Sequence, residues 1–252
     1  MTKPVAFRSL IDGFVESADR FPSREALVVG GECLSYLALQ GLAGKIASAI
    51  LQHEHEISPL VALLAHRSKT AYASILGILG AGKGYVPLNP KFPIERKRRM
   101  LDLSGCGILI VGTEGFQHLP KLLIDFNRPL TVILPDLFDA SGLSSDFPQH
   151  RFVPSKRMTD DNKFPLRSEV SPTAIAYLLF TSGSTGQPKG VPIAQSNLGK
   201  RRSSLLIYLL PGKGPGTEPE IWSDKAEMVA YTILEEWTIK SKFEAIEWNC
   251  KK

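Results

Sequence analysis

Between Leu34 and Gln52 the apolar residues Leu39, Leu42, Ala43, Ile46, Ala47 and Ile50 recur at intervals of three and four. With Ser35 available as a cap, this spacing predicts an amphipathic helix packed on a sheet. A short apolar run follows at Leu60–Ala65, then a polar break at His66, Arg67 and Ser68, an apolar helix from Lys69 to Ala81, and a second short run at Tyr85–Leu88. That is a strand, helix, strand unit. The rhythm repeats: Pro93 opens a charged helix through Leu103, Gly107–Val111 reads as a buried strand, Leu119–Phe126 as helical, and Leu130–Leu134 as another strand. Strands alternating with helices predict an α/β fold with a largely parallel sheet, whose ligand sites lie beyond the carboxyl ends of the strands.

Residues 139–172 are richer in Ser, Asp and Pro and read as a connecting stretch, after which Ala174–Phe180 forms an apolar strand. Beyond Gly199 the character changes. All three tryptophans (Trp222, Trp237, Trp248) fall in this tail, past a Pro/Gly-rich break at Leu210–Pro219. Ala226, Val229, Ala230, Ile233 and Trp237 keep helical spacing there, with Ser223 as a candidate cap and Glu236 and Lys240 one turn apart, so the tail predicts one long helix.

The chain has 252 residues, 43% of them hydrophobic, and a net charge of +5, a balance that excludes disordered and fibrous classes. No segment has the roughly 18 apolar residues that span a bilayer, and the first thirty residues lack a signal-peptide core, so the expected setting is cytoplasmic without a membrane partner. Cys33, Cys106 and Cys250 are odd in number and far apart, which fits free thiols better than a disulfide framework or a zinc site. The basic runs Arg96–Arg99 and Lys200–Arg202 have no interleaved aromatics and read as solvated helix faces, so no nucleic-acid partner is expected. His53 and His55 flank Glu54 at a helix end and read as solvated, as do Asp160 and Asp161 in loop-like sequence.

The strongest chemical signal is Thr181–Gly190 (TSGSTGQPKG), directly after an apolar strand. Gly183, Gly186 and Gly190 let the backbone approach a ligand closely and aim successive N–H groups at anionic oxygens. Thr181, Ser182, Ser184 and Thr185 add hydroxyls, and Lys189 adds a positive charge behind Pro188. Together they suit a polyphosphate. A flexible Gly/Ser linker is the plain alternative, but linkers do not usually follow a buried strand or keep a lysine behind a proline. The loop lacks the Walker spacing. Gly77–Lys83 has that spacing, yet Gly84 stands where Ser or Thr is needed, so it reads as a helix ending in glycines. Gly80, Gly82, Gly84 and Gly212, Gly214, Gly216 read as loop glycines and not as a dinucleotide fingerprint.

The stretch Ala176–Gly190 (AYLLFTSGSTGQPKG) resembles the phosphate-loop signature of adenylate-forming, AMP-binding enzymes. Leu34–Leu39 (LSYLAL) and Gly80–Pro90 (GAGKGYVPLNP) resemble that family's first two core motifs, in the right order. Phe92–Arg96 and Met100–Gly105 are more similar to amino-acid adenylation domains of non-ribosomal peptide synthetases than to fatty acyl-CoA ligases. The resemblance implies an α/β fold made of the parallel-sheet layers of an N-terminal adenylation subdomain over residues 1–205, incomplete, with residues 206–252 as a divergent helical tail. It also implies a ligase that activates a carboxylate, in the first place an amino acid, with ATP and Mg2+ and passes the adenylate to a carrier or coenzyme A thiol. Thr181, Ser182, Gly183, Ser184, Thr185, Gly186, Lys189 and Gly190 would bind the nucleotide phosphates.

The family's later motifs are not recognisable here: the segment that holds adenine, the ribose-binding Asp and the small C-terminal domain with its catalytic Lys. Gly214–Glu218 mimics the first with an extra glycine, and Gln195 stands where many members have His. The expectation is therefore a truncated and catalytically crippled domain, or alternatively a non-catalytic nucleotide-binding or interaction fragment that complements a separately encoded remainder.

Overall fold

A computed structural model describes residues 7–54, 58–159, 164–167, 170–182 and 188–199. The chain opens with α1 (Asp12–Arg20), which buries Phe14 and Ala18, one turn apart. A hairpin follows, β1 (Glu25–Val29) and β2 (Glu32–Ser35). Its two-residue turn is Gly30-Gly31, both at positive φ (60° and 82°), the geometry a tight hairpin turn of this kind requires. Leu34 and Ser35 thus end a strand, and the predicted helix begins two residues later as α2 (Tyr36–Gln52), with the Ser35 hydroxyl accepting from the Ala38 amide.

Six further elements alternate as the apolar periodicity predicts: β3 (Leu60–Leu64), α3 (Lys69–Gly80), β4 (Gly84–Pro87), α4 (Ile94–Ser104), β5 (Ile108–Val111) and, after a 3-10 turn at Thr113–His118 and the short α5 (Leu119–Leu123), β6 (Thr131–Leu134). The glycine-rich end of α3 is a helix terminus, with Gly82 at φ 72°, and carries no Walker loop. The stretch expected to be a mere connection holds α6 (Ser141–Asp146) and β7 (Arg151–Pro154), which pairs in parallel with β6. The strand is short, begins with an arginine and ends with a proline, so only Phe152 and Val153 advertise it.

The main sheet has seven strands in the order β7-β6-β5-β3-β4-β8-β9, where β8 is Ile175–Ser182 and β9 is Pro188–Ala194. All neighbours are parallel except β9, which returns antiparallel along β8 and leads into α7 (Gln195–Gly199). Every residue of β3 through β6 is buried, as a parallel sheet covered on both faces demands. One face packs against α1, α2 and α3 around Ile46, Ile50, Ile75 and Ile78, and the other against α4 and α5 around Met100, Leu101, Leu122 and Leu123.

Two charged stretches differ from expectation. Lys97 is fully buried and its Nζ donates to the Pro90 carbonyl at 2.7 Å, Arg98 Nη2 donates to the Lys121 carbonyl at 2.7 Å, and Arg96 lies 4.3 Å over the Phe92 ring. Of Arg96–Arg99 only Arg99 is exposed, because α4 wedges its basic side into the α4–α5 layer. Glu54 is likewise not a solvated helix end: its carboxylate sits 2.5 Å from the buried Lys83 ammonium and 3.7 Å from Arg167. His55, Asp160, Asp161, Lys200–Arg202, Cys250 and the tail 206–252 lie outside the described residues. Cys33 and Cys106 are free, and burial pushes the Cys106 thiol up to about 11.

Candidate functional site

The ten residues singled out in sequence do not form a loop hanging from a strand. Thr181 and Ser182 end β8 and Pro188, Lys189 and Gly190 begin β9, the last two strands of the sheet, which pair antiparallel. β8 runs parallel to β4, so its end at Thr181 and Ser182 reaches the carboxyl edge of the sheet, where open α/β folds bind ligands. β9 then starts at Pro188 and places Lys189 directly opposite Thr181 and Gly190 opposite Phe180. Cross-strand partners share a face of the pleat, so the Lys189 ammonium and the Thr181 hydroxyl project together. Lys189 and Gly190 are exposed and Thr181 is half-buried. Gly183, Ser184, Thr185, Gly186 and Gln187 lie outside the described residues, and Ser182 is described in its backbone alone.

The alternation of β8 packs the base of the hairpin against both layers of the core. Tyr177 and Leu179 face the α1–α3 layer, while Leu178 and Phe180 face the α4–α5 layer. A side chain at Gly190 would come within 3.1 Å of Leu178 and 3.4 Å of Phe180, so glycine lets β9 lie flat on those two residues. Proline at 188 closes the arm without needing a ladder donor.

Gln195, the departure from the family pattern, is 1% exposed. Its Oε1 accepts from the Leu10 amide at 3.2 Å and the Ser9 hydroxyl at 3.3 Å, so it ties the start of the chain to the end of β9. Sequence reasoning also missed Asp136 at the carboxyl end of β6. Its carboxylate accepts from Thr70 Oγ1 at 2.5 Å and from the Thr113 amide and hydroxyl at 3.0 Å each, which locks three loops of that edge together. Its position just after a buried strand was the available signal. Among the described residues no group of three or more His, Cys, Asp or Glu is arranged to hold a metal ion, and no helix is long and apolar enough to cross a membrane.

Near the carboxyl edge of the α/β sheet, the end of β8 and the start of β9 set Thr181 and Lys189 opposite each other. The chain belongs to the AMP-binding enzyme family, whose model matches residues 14–216. It is 31% identical over 185 residues to bacitracin synthase 3 of Bacillus licheniformis, an alignment that covers 73% of this chain and 2% of that synthase. Among solved structures it is similar to IdnL7 (TM-score 0.61, 30% identity, covering 77% of this chain and 36% of the other). It is also similar to the AMPPNP-bound form of the non-ribosomal peptide synthetase FmoA3 (TM-score 0.60, 28% identity, 80% of this chain and 19% of the other). The chain thus spans a small part of the length of these relatives.

Proposed function

We propose that this chain supplies the ATP-phosphate side of a site that activates an amino acid, or another small carboxylate, by adenylate formation. The observation that supports this is the hairpin, with Lys189 held opposite Thr181 at the carboxyl edge in a chain of the AMP-binding family. In this reading a carboxylate oxygen attacks the α-phosphorus of ATP, pyrophosphate leaves, and the adenylate passes to the thiol of a carrier protein or coenzyme A. Lys189, with Thr181, Ser182, Ser184, Thr185 and the amides of Gly183, Gly186 and Gly190, holds the β- and γ-phosphates and stabilises charge on departing pyrophosphate. Hydroxyl oxygens suit a hard cation, and Mg2+ bound among the phosphates would supply further charge neutralisation. The test is amino-acid-dependent ATP/pyrophosphate exchange by the purified chain across an amino-acid panel, with Lys189→Ala and Thr185→Ala as paired controls. Exchange above the controls is expected; exchange indistinguishable from them overturns independent catalysis.

A second reading, a fragment that acts only with a separately encoded remainder, is favoured by one observation. Lys189, Gly190, Val191 and Pro192 are all exposed along β9, and Val191 at 39% is an apolar residue on a strand that another chain can cover. Exchange that appears only on co-expression with a fragment carrying the later family motifs selects this reading.

A further inference from the structure

At the opposite, amino edge of the sheet a cavity of about 610 Å³ opens beneath the starts of β3, β5, β6 and β7. Its lining holds four cations, Lys83, Arg128, Arg151 and Arg157, and among the described residues one carboxylate, Glu54. That carboxylate is already committed, to the Lys83 ammonium at 2.5 Å and to Arg167 at 3.7 Å. Lys83 also donates to the Ser58 carbonyl at 2.6 Å, so the two form a closed pair within the wall. The three arginines are left without an acidic partner among the described residues. Arg128 is fixed from behind, its Nη1 donating to the Cys106 carbonyl at 2.7 Å and its Nη2 to the Leu101 carbonyl at 3.2 Å. Arg151 leans on His53, with Nη1 3.5 Å from the ring Nδ1, and Arg157 projects from the 3-10 turn Ser155–Arg157 that follows β7.

Like charges gathered in one concavity repel, and a cleft with low-dielectric walls focuses their field outward. Guanidinium forks match phosphate oxygens two at a time, better than they match a single carboxylate or halide. The sole aromatic carbon ring of the lining among the described residues, Phe152, is 2% exposed and offers no face on which a nucleobase could stack. The hydroxyls of Thr131 and Ser144 lie in the same wall and add hydrogen-bonding capacity. We propose that this cavity is a second anion site that takes a compact oligophosphate through Arg128, Arg151 and Arg157, separate from the phosphate loop and on the other edge of the same sheet. It does not rest on the adenylation reading, because none of its residues belongs to the hairpin.

The site draws on β5, β6, β7 and the end of α2, elements joined mainly by the strands between them, so an occupant bridges and stabilises that side of the fold. The same oligophosphate chemistry is present in free polyphosphate and in the tail of a nucleoside triphosphate, and the experiment separates the two. Inorganic tripolyphosphate, ATP and AMP are titrated calorimetrically into the full chain carrying Lys189→Ala, and into the same chain with Arg151→Ala and Arg157→Ala added. The expected result is saturable binding of tripolyphosphate to the Lys189→Ala chain, weakened at least about tenfold by the two arginine changes and by raised salt. ATP binding as tightly as tripolyphosphate identifies the phosphate tail as the recognised part, and AMP is expected not to bind. Both arginines are exposed, so the variants keep the fold, and a charge reversal at Arg157→Glu provides an independent check by the same titration. Binding that survives the arginine substitutions, or that is already lost with Lys189→Ala alone, overturns the proposal, as does absence of saturable binding.

Discussion

The strands β3 to β6 and the strand β9 belong to one sheet and obey opposite rules. The former are buried at every position and carry uninterrupted apolar sequences such as LVALL at 60–64. The latter exposes four of its seven residues and carries proline, lysine and glycine. Burying a whole strand secures stability, because each apolar side chain removed from water contributes about 1.5–3 kcal/mol. Leaving β9 uncovered keeps Lys189 accessible, as the proposed phosphate contact requires. The fold therefore separates what holds it together from what it presents, with the boundary along β8, whose two faces still pack on the core while its end carries Thr181.

The sharpest way to break this separation is Lys189→Ala, for which adenylation activity should fall by about 10²–10³-fold, the usual loss for one transition-state donor. The melting temperature should not move, since an exposed side chain with no core partner among the described residues changes stability by less than about 0.5 kcal/mol. A large thermal shift would show that the hairpin is part of the stabilising body. The converse change is Ile110→Ala in the fully buried β5, which should cost about 2–5 kcal/mol in urea denaturation and leave activity per folded molecule unaltered.

Asp136→Ala tests the carboxyl edge between these extremes. It removes the acceptor shared by Thr70 and Thr113 and should cost about 1–3 kcal/mol, read as a lowered denaturation midpoint. The smallest expected effect is a pH dependence. Burial lowers the imidazole pKa of His150 below the ordinary 6.5, and burial together with repulsion from Arg67 and Lys91 does the same for His66. Near and below that value the unfolded chain binds protons that the folded chain does not. Stability is therefore complete above about pH 6.5, declines as the pH falls through it, and levels off below the folded-state values. Urea midpoints measured from pH 7.5 to 5 should fall, and His150→Gln should flatten the slope; a midpoint that rises on acidification contradicts this.

The buried body was readable in sequence because its signal is local. Continuous apolar runs and a 3.6-residue period place β3, α3, β4, α4, β5 and β6 within a residue or two, and Ser35 and Ser68 cap their helices as short polar residues before apolar turns do. What was missed depends on distant partners or on weak patterns. β7 has two apolar residues between polar neighbours, and its place in the sheet comes from pairing with β6. Lys97 and Glu54 look solvated until Pro90 and Lys83 are brought against them. The Gly30-Gly31 turn and the Phe14, Ala18 stripe of α1 carried the usual signals of a hairpin and an amphipathic helix, which the longer apolar periods nearby overshadowed. At the site, residue type and order pointed to phosphate chemistry, but the antiparallel return of β9, which sets Lys189 against Thr181, is a matter of register between strands.

The central claim is that Lys189 at the carboxyl edge contacts the nucleotide. Acylation of lysine amines in the full chain, followed residue by residue by mass spectrometry with and without ATP and Mg2+, tests it most directly. The account predicts that ATP protects Lys189 selectively while the exposed Lys121 reacts at an unchanged rate. Equal labelling of Lys189 with and without saturating ATP would contradict it.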